Sequence, residues 1–151
     1  MLQISKADYG LIRWEAERSY PHECCGILLG KIEAERRTVT LTIPCENMRR
    51  DSAATRYSID PGKVIAALKL ARSRAETIIG FYHSHPDQPA RYSGADLDEA
   101  HWFDCSYVIT TVERGRAGAT NSFALTGSED NKAFTPEEIR ITAYQRLPVA
   151  L

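Results

Sequence analysis

The chain is 151 residues long, with 43% hydrophobic and 26% charged residues and a formal net charge of -1. That suffices for one buried core and one ordinary domain. The near-neutral balance argues against a nucleic-acid binder held by phosphate neutralisation; the nearest thing to a basic patch, Arg49, Arg50 and Arg56, reads as a solvated loop.

No apolar run reaches membrane-spanning length, and the first ten residues have neither the basic start nor the apolar stretch of a signal peptide. A cytoplasmic chain is expected, with no membrane and no nucleic acid among its partners. Cys24, Cys25, Cys45 and Cys105 should then be reduced. Adjacent Cys24 and Cys25 suit neither an ordinary disulfide nor a zinc knuckle and read as core thiols.

In chain order, residues 5–19 read as a helix, with Ser5 and Asp8 as a capping box and Leu11, Ile12, Trp14 and Ala16 as its apolar side. Residues 26–30 form a short buried strand. In 36–45, Val39, Leu41 and Ile43 alternate with threonines, the mark of a partly exposed strand. Residues 46–58 are polar and irregular, a connection near a functional rim.

Asp60 caps a helix that starts at Pro61 and carries Val64, Ile65, Leu68 and Ala71. Residues 77–85 are strand-like and run into Pro86. A helix is predicted from Ser93 to Trp102, then strands at 106–112 and 121–125 joined by a turn at 114–118. Residues 135–138 fit either a helix start or an edge strand. No repeat or linker interrupts the chain. Helices set between strands give an α/β or mixed α+β fold, with residues 1–151 as a single domain.

The chemistry concentrates in "GFYHSHPDQPARYSGAD", residues 80–96. On an extended segment His83 and His85 point to one face and Ser84 to the other. Two imidazoles, Asp96 and a water would complete the four-coordinate shell of a catalytic zinc. Ser93 and Asp96 also have capping-box spacing, which alone would only start a helix. The two readings are compatible, because a helix start fixes where Asp96 points.

Water attack on a carbonyl also requires a proton acceptor. Glu23, directly before an apolar strand, is the first candidate; Glu46 and Asp87 remain open. His22 should point away from Glu23 and reads as a surface or packing residue. His101, beside Trp102 on the predicted helix, reads as structural.

"PHECCGILLG", followed much later by the 80–96 stretch, resembles the JAMM (MPN-plus, Mov34-type) zinc metallopeptidases. Their signature is a glutamate, then His-Ser/Thr-His-Pro, then Ser-x-x-Asp. The resemblance implies an α/β fold, a mixed curved β-sheet flanked by helices, of cytidine-deaminase-like type. It implies one Zn2+ per chain on His83, His85 and Asp96, Glu23 as general base then acid, and Ser93 as the donor that steadies the oxyanion. Ser84 would be structural. Ala90-Arg91-Tyr92 departs from the proline that many relatives carry just before the serine.

The implied reaction is cleavage of a peptide or isopeptide bond after the C-terminal Gly-Gly tail of a ubiquitin-like or sulfur-carrier protein, as in the short free-standing prokaryotic members. The tail would enter extended, with the 46–58 loop as a candidate partner contact. A homodimer is compatible with the sequence but not specified by it. The alternative is a non-catalytic module that binds ubiquitin-like proteins, as in metal-free relatives, but all five polar positions are present. A more remote alternative, zinc deamination, needs His-x-Glu and Pro-Cys-x-x-Cys, and the chain has neither.

Overall fold

The computed structural model describes residues 1–143. In chain order it contains β1 (Leu2–Ser5), α1 (Lys6–Ser19), β2 (Cys25–Glu33), β3 (Arg36–Cys45), α2 (Pro61–Ser73), β4 (Thr77–Pro86), α3 (Gly94–Asp98), β5 (Ser106–Glu113), β6 (Arg116–Ser128), β7 (Asn131–Glu137) and β8 (Ile139–Thr142). The strands form one sheet in the order β7-β6-β5-β4-β2-β3-β1-β8. It is mixed: β4/β5, β1/β3 and β1/β8 run parallel, the other neighbours antiparallel. The α/β expectation, a mixed curved sheet flanked by helices, holds.

Each long helix covers one face. α2 packs Ala67 and Ala71 on Ile27, Leu29, Ile78 and Phe81, while α1 packs Ile12 and Ala16 on Leu28, Ile79, Tyr82 and Val108. The caps are the expected ones: Ser5 Oγ accepts from the Asp8 N–H at 3.1 Å, and Asp60 Oδ1 from the Gly62 N–H at 2.9 Å. Trp14 and Ile65 are exposed, contrary to expectation. The stripe of small and branched residues fills each helix–sheet gap, and Trp14 instead lies under the Arg18 guanidinium at 5.2 Å.

The β4 alternation changes phase near Gly80. Its partner register slips between Leu28 and Leu29, so Ile78 and Phe81 share the α2 face while Ile79 and Tyr82 share the other. A side chain at Gly80 would collide with the Ser106 carbonyl of β5, so the bulge sits where only glycine fits. Beyond it the period of two resumes, and His83 and His85 follow Phe81 onto the α2 side. A similar slip at Thr40 puts Val39 on the α1 side and Leu41 and Ile43 on the α2 side, breaking the simple alternation read from 36–45.

The helix expected over Ser93–Trp102 stops at Asp98. Lys132 Nζ, arriving from β7, donates to the carbonyls of Asp98 (2.8 Å) and Ala100 (3.0 Å). The chain end thus gains partners without a further turn, and Trp102 can pack edge-on against Phe81 at 5.6 Å. The ambiguous 135–138 stretch lies at the end of edge strand β7, where Pro136 needs no ladder N–H on its outer side.

Only Glu138 separates β7 from β8, although they are opposite edges of the sheet. The sheet therefore curls until its two edges meet at that end. Glu137, buried there, accepts from Arg37 Nη1 of β3 at 2.9 Å and from the hydroxyls of Ser106 and Ser122. All four cysteines are free thiols, three of them buried. Among the described residues no helix is long and apolar enough to cross a membrane.

Candidate metal centre

The β2–β4 pairing builds the site. Cys25 lies opposite His83, and one position outward Ser84 Oγ accepts from the Cys24 N–H at 2.8 Å while the Ser84 N–H donates to Cys24 O at 3.2 Å. Ser84 is thus a structural clamp facing away from the histidines. Glu23 continues the same line, on the face of His83 and His85.

His83 Nε2 and His85 Nε2 stand 3.1 Å apart. Asp96 Oδ1 is 3.3 Å from the first and Oδ2 is 3.1 Å from the second. Asp96 reaches them from α3 because the capping box is complete: Ser93 N–H donates to Asp96 Oδ2 (2.8 Å) and Asp96 N–H donates to Ser93 Oγ (3.1 Å). The cap that was one reading of Ser93-x-x-Asp96 is the device that aims the carboxylate of the other.

The edge of His85 that faces the cluster is set by its far nitrogen. Nδ1 donates to Pro89 O at 2.8 Å, so in the neutral ring it is the Nε2 lone pair that faces the cluster. His83 Nδ1 is buried and has no hydrogen-bond partner among the described residues; its ring instead stacks on Tyr57 at 4.4 Å and 22°.

Burial lowers the His83 pKa. Burial also acts to lower His85, but its bonds to Asp96 and Pro89 prevail and raise it. Burial would raise Asp96, yet bonds from both histidines hold it well below the usual carboxylate range.

Glu23 is 4% exposed, and its Oε1 has no partner among the described residues. Burial pushes its pKa up to about 8, with His85 pulling down and Asp96 pushing up. The other two candidate carboxylates have partners outside the cluster. Asp87 accepts from the Tyr20 hydroxyl at 2.6 Å and the Arg114 N–H at 2.9 Å, and Glu46 is exposed, 3.7 Å from Arg50. His22 is exposed, and His101, past the end of α3, meets Glu129 at 3.0 Å.

The sequence pattern described as prokaryotic homologs of the JAB domain matches residues 5–126. The chain belongs to this JAB family. Similar proteins include the desampylase of Haloferax volcanii, 31% identical over 109 residues, 72% of this chain and 73% of that one. Another is a probable TtuB-protein conjugate cleaving protease of Thermus thermophilus, 36% identical over 100 residues, 66% and 63% of the two chains. The JAB chain thus spans somewhat less than two thirds of the second relative.

Solution structures of proteins from Desulfitobacterium hafniense (TM-score 0.80, 28% identity, 97% and 96% coverage) and Salinibacter ruber (0.69, 30%, 97% and 95%) share the fold.

The donor set of this JAB protein fits a metal ion. Its candidate ligand atoms, two imidazole nitrogens and a carboxylate oxygen, lie within 4.8 Å of one another. Bonds of about 2.0–2.1 Å at tetrahedral angles put ligand atoms about 3.3 Å apart, close to the 3.1–3.3 Å separations found here. Asn47 and Tyr57, in the 46–58 connection, touch the site but carry no motif. The irregular, largely polar character of 46–58 points to a loop near a functional rim, but nothing in its sequence singles out these two side chains.

Proposed function

We propose that this protein is a zinc metallopeptidase that cuts the peptide or isopeptide bond following the Gly-Gly tail of a ubiquitin-like or sulfur-carrier protein in the cytoplasm. Residues 1–151 would act as one catalytic domain. The observation that carries the reading is a buried carboxylate, Glu23, with a free oxygen on the face where His83, His85 and Asp96 converge. Two relatives, one named a desampylase and one a probable TtuB-protein conjugate cleaving protease, support a protein conjugate as the substrate class.

His83, His85 and Asp96 would hold the ion. When bound, zinc would lower the pKa of the attacking water and polarise the scissile carbonyl. Glu23 takes the proton from that water and returns it to the leaving amine. Its raised affinity for protons suits the second half of that task, and a neighbouring cation favours its ionised form for the first. Ser93 Oγ accepts from Asp96 N–H, so its own proton is free to donate to a developing oxyanion. A glycine tail suits a site where substrate backbone must approach closely, since no side chain intervenes.

The test is a product-mass assay on small ubiquitin-like proteins of the host bearing C-terminal extensions, with Glu23→Gln as control. Cleavage directly after the second glycine is expected. The variant should retain zinc and lose roughly 100- to 10,000-fold in turnover, the usual loss for a removed general base. Near-normal turnover in the variant, or intact tails beside cut unrelated peptides, would remove the base or the substrate class respectively.

A further inference from the structure

The 46–58 connection has no regular secondary structure, yet it meets the site at two points, and one side chain organises both. Asn47 uses its full hydrogen-bonding capacity. Its Nδ2 donates to Glu23 O (3.2 Å) and Arg56 O (3.0 Å), while its Oδ1 accepts from Arg49 N–H (3.0 Å) and Ser58 N–H (3.1 Å). Two of these bonds bracket Tyr57, from the residue before it and the residue after it. Backbone bonds close the same frame: Met48 N–H to Ser58 O at 2.9 Å and Glu23 N–H to Ala53 O at 2.7 Å.

The bracketed ring is the one stacked on His83. Histidines that ligate metals are ordinarily oriented by a hydrogen bond from the far ring nitrogen. His85 has such a bond, to Pro89 O, but His83 Nδ1 has none among the described residues. Asp96 and His85 meet the ring at Nε2, so away from that edge His83 is held by packing alone, and the flat contact with Tyr57 is its stacked face.

We propose that Asn47 is a positioning residue that couples both halves of the site, holding Tyr57 against His83 and Glu23 against the cluster. Its effect on Glu23 turnover rests on the function proposed above; its effect on His83 does not. The hydroxyl of Tyr57 plays no part in the stacking, so phenylalanine should replace it fully. A leucine keeps bulk but loses the flat face.

The experiment titrates zinc alone into metal-free protein against a chromophoric chelator, with no substrate present. Asn47→Ala and Tyr57→Leu are each expected to weaken zinc binding about 10-fold or more, the scale seen when the partner of a ligating histidine is removed. Tyr57→Phe should match wild type. In the Asn47→Ala protein the Glu23 amide should also exchange its hydrogen faster, and kcat should fall with KM little changed.

Repeating the zinc titration in a Glu23→Gln background should give the same loss for Asn47→Ala. Wild-type zinc affinity in Asn47→Ala overturns the proposal. Equal zinc affinity in the leucine and phenylalanine variants of Tyr57 also overturns it, even where Asn47→Ala does not fold. Full activity of Glu23→Gln would instead overturn the assigned base and leave the Asn47–Tyr57–His83 link standing.

Discussion

Glu23 sets the behaviour of the metal-free protein towards pH. Its folded-state pKa of about 8 lies far above the ordinary 4.5 because burial opposes the charge. Between those values the folded chain holds a proton that the unfolded chain has released. Stability from this group is therefore complete below about pH 4.5 and is lost as pH rises towards 8, by up to about 1.4 kcal/mol per pH unit. His83, with its lowered pKa, acts in the opposite sense, losing stability as pH falls below its ordinary value. Comparing wild type with Glu23→Gln isolates the glutamate. Urea midpoints of the metal-free proteins at pH 5 and pH 8 should show the fall in wild type and a smaller one or none in the variant. Loading with zinc should also flatten the wild-type curve, since a cation favours the ionised carboxylate. Parallel curves for the two metal-free proteins would show that Glu23 is not the group responsible.

At the level of elements, the clamp between β2 and β4 matters most. Ser84 is fully buried and accepts from the Cys24 N–H. Ser84→Ala leaves that amide unpaired inside the sheet, which costs roughly 1–3 kcal/mol. The expected result is a lower urea midpoint with zinc still bound; an unchanged midpoint would mean that the strand pair tolerates the lost bond. This clamp also marks how far the site was legible in the sequence. The shared face of His83 and His85 follows from a period of two, and the aim of Asp96 from a capping box, both local. The approach of Glu23 depends on how β2 registers against β4, and spacing along one strand does not encode that pairing. α3 ends earlier than its pattern suggests because the lysine that donates to the carbonyls of Asp98 and Ala100 comes from β7, more than 30 residues later. Tyr57 was invisible as a site residue because its loop has no periodicity to read.

Across the whole molecule, the curl of the sheet gathers residues from three strands around a carboxylate on a fourth. Glu137 of β7 accepts from Arg37 of β3, Ser106 of β5 and Ser122 of β6, none of them a residue of the candidate metal centre. Glu137→Ala would leave the largely buried Arg37 with only its Nε bond to the Asp104 carbonyl, and two buried hydroxyls without their acceptor. Breaking a buried ion pair from one side typically costs about 3–5 kcal/mol. A loss of that order is expected in chemical denaturation, with zinc stoichiometry retained in the protein that remains folded. A loss below about 1 kcal/mol, the range of surface pairs, would show that water reaches the cluster and replaces the lost bonds.

The three candidate metal-binding side chains all fall between positions 83 and 96, whereas Glu23 stands sixty residues upstream of the first of them. A chain in which only β4, the following loop and α3 have come together already holds every donor for the ion. It acquires its proton acceptor only when β2 docks alongside, a contact of long sequence separation and therefore of slower closure. Under the proposed roles, the ligands for zinc can gather before the chain is competent to cut. Full affinity would still wait for Tyr57 to close over His83, and hydrolysis would begin only once the sheet is whole.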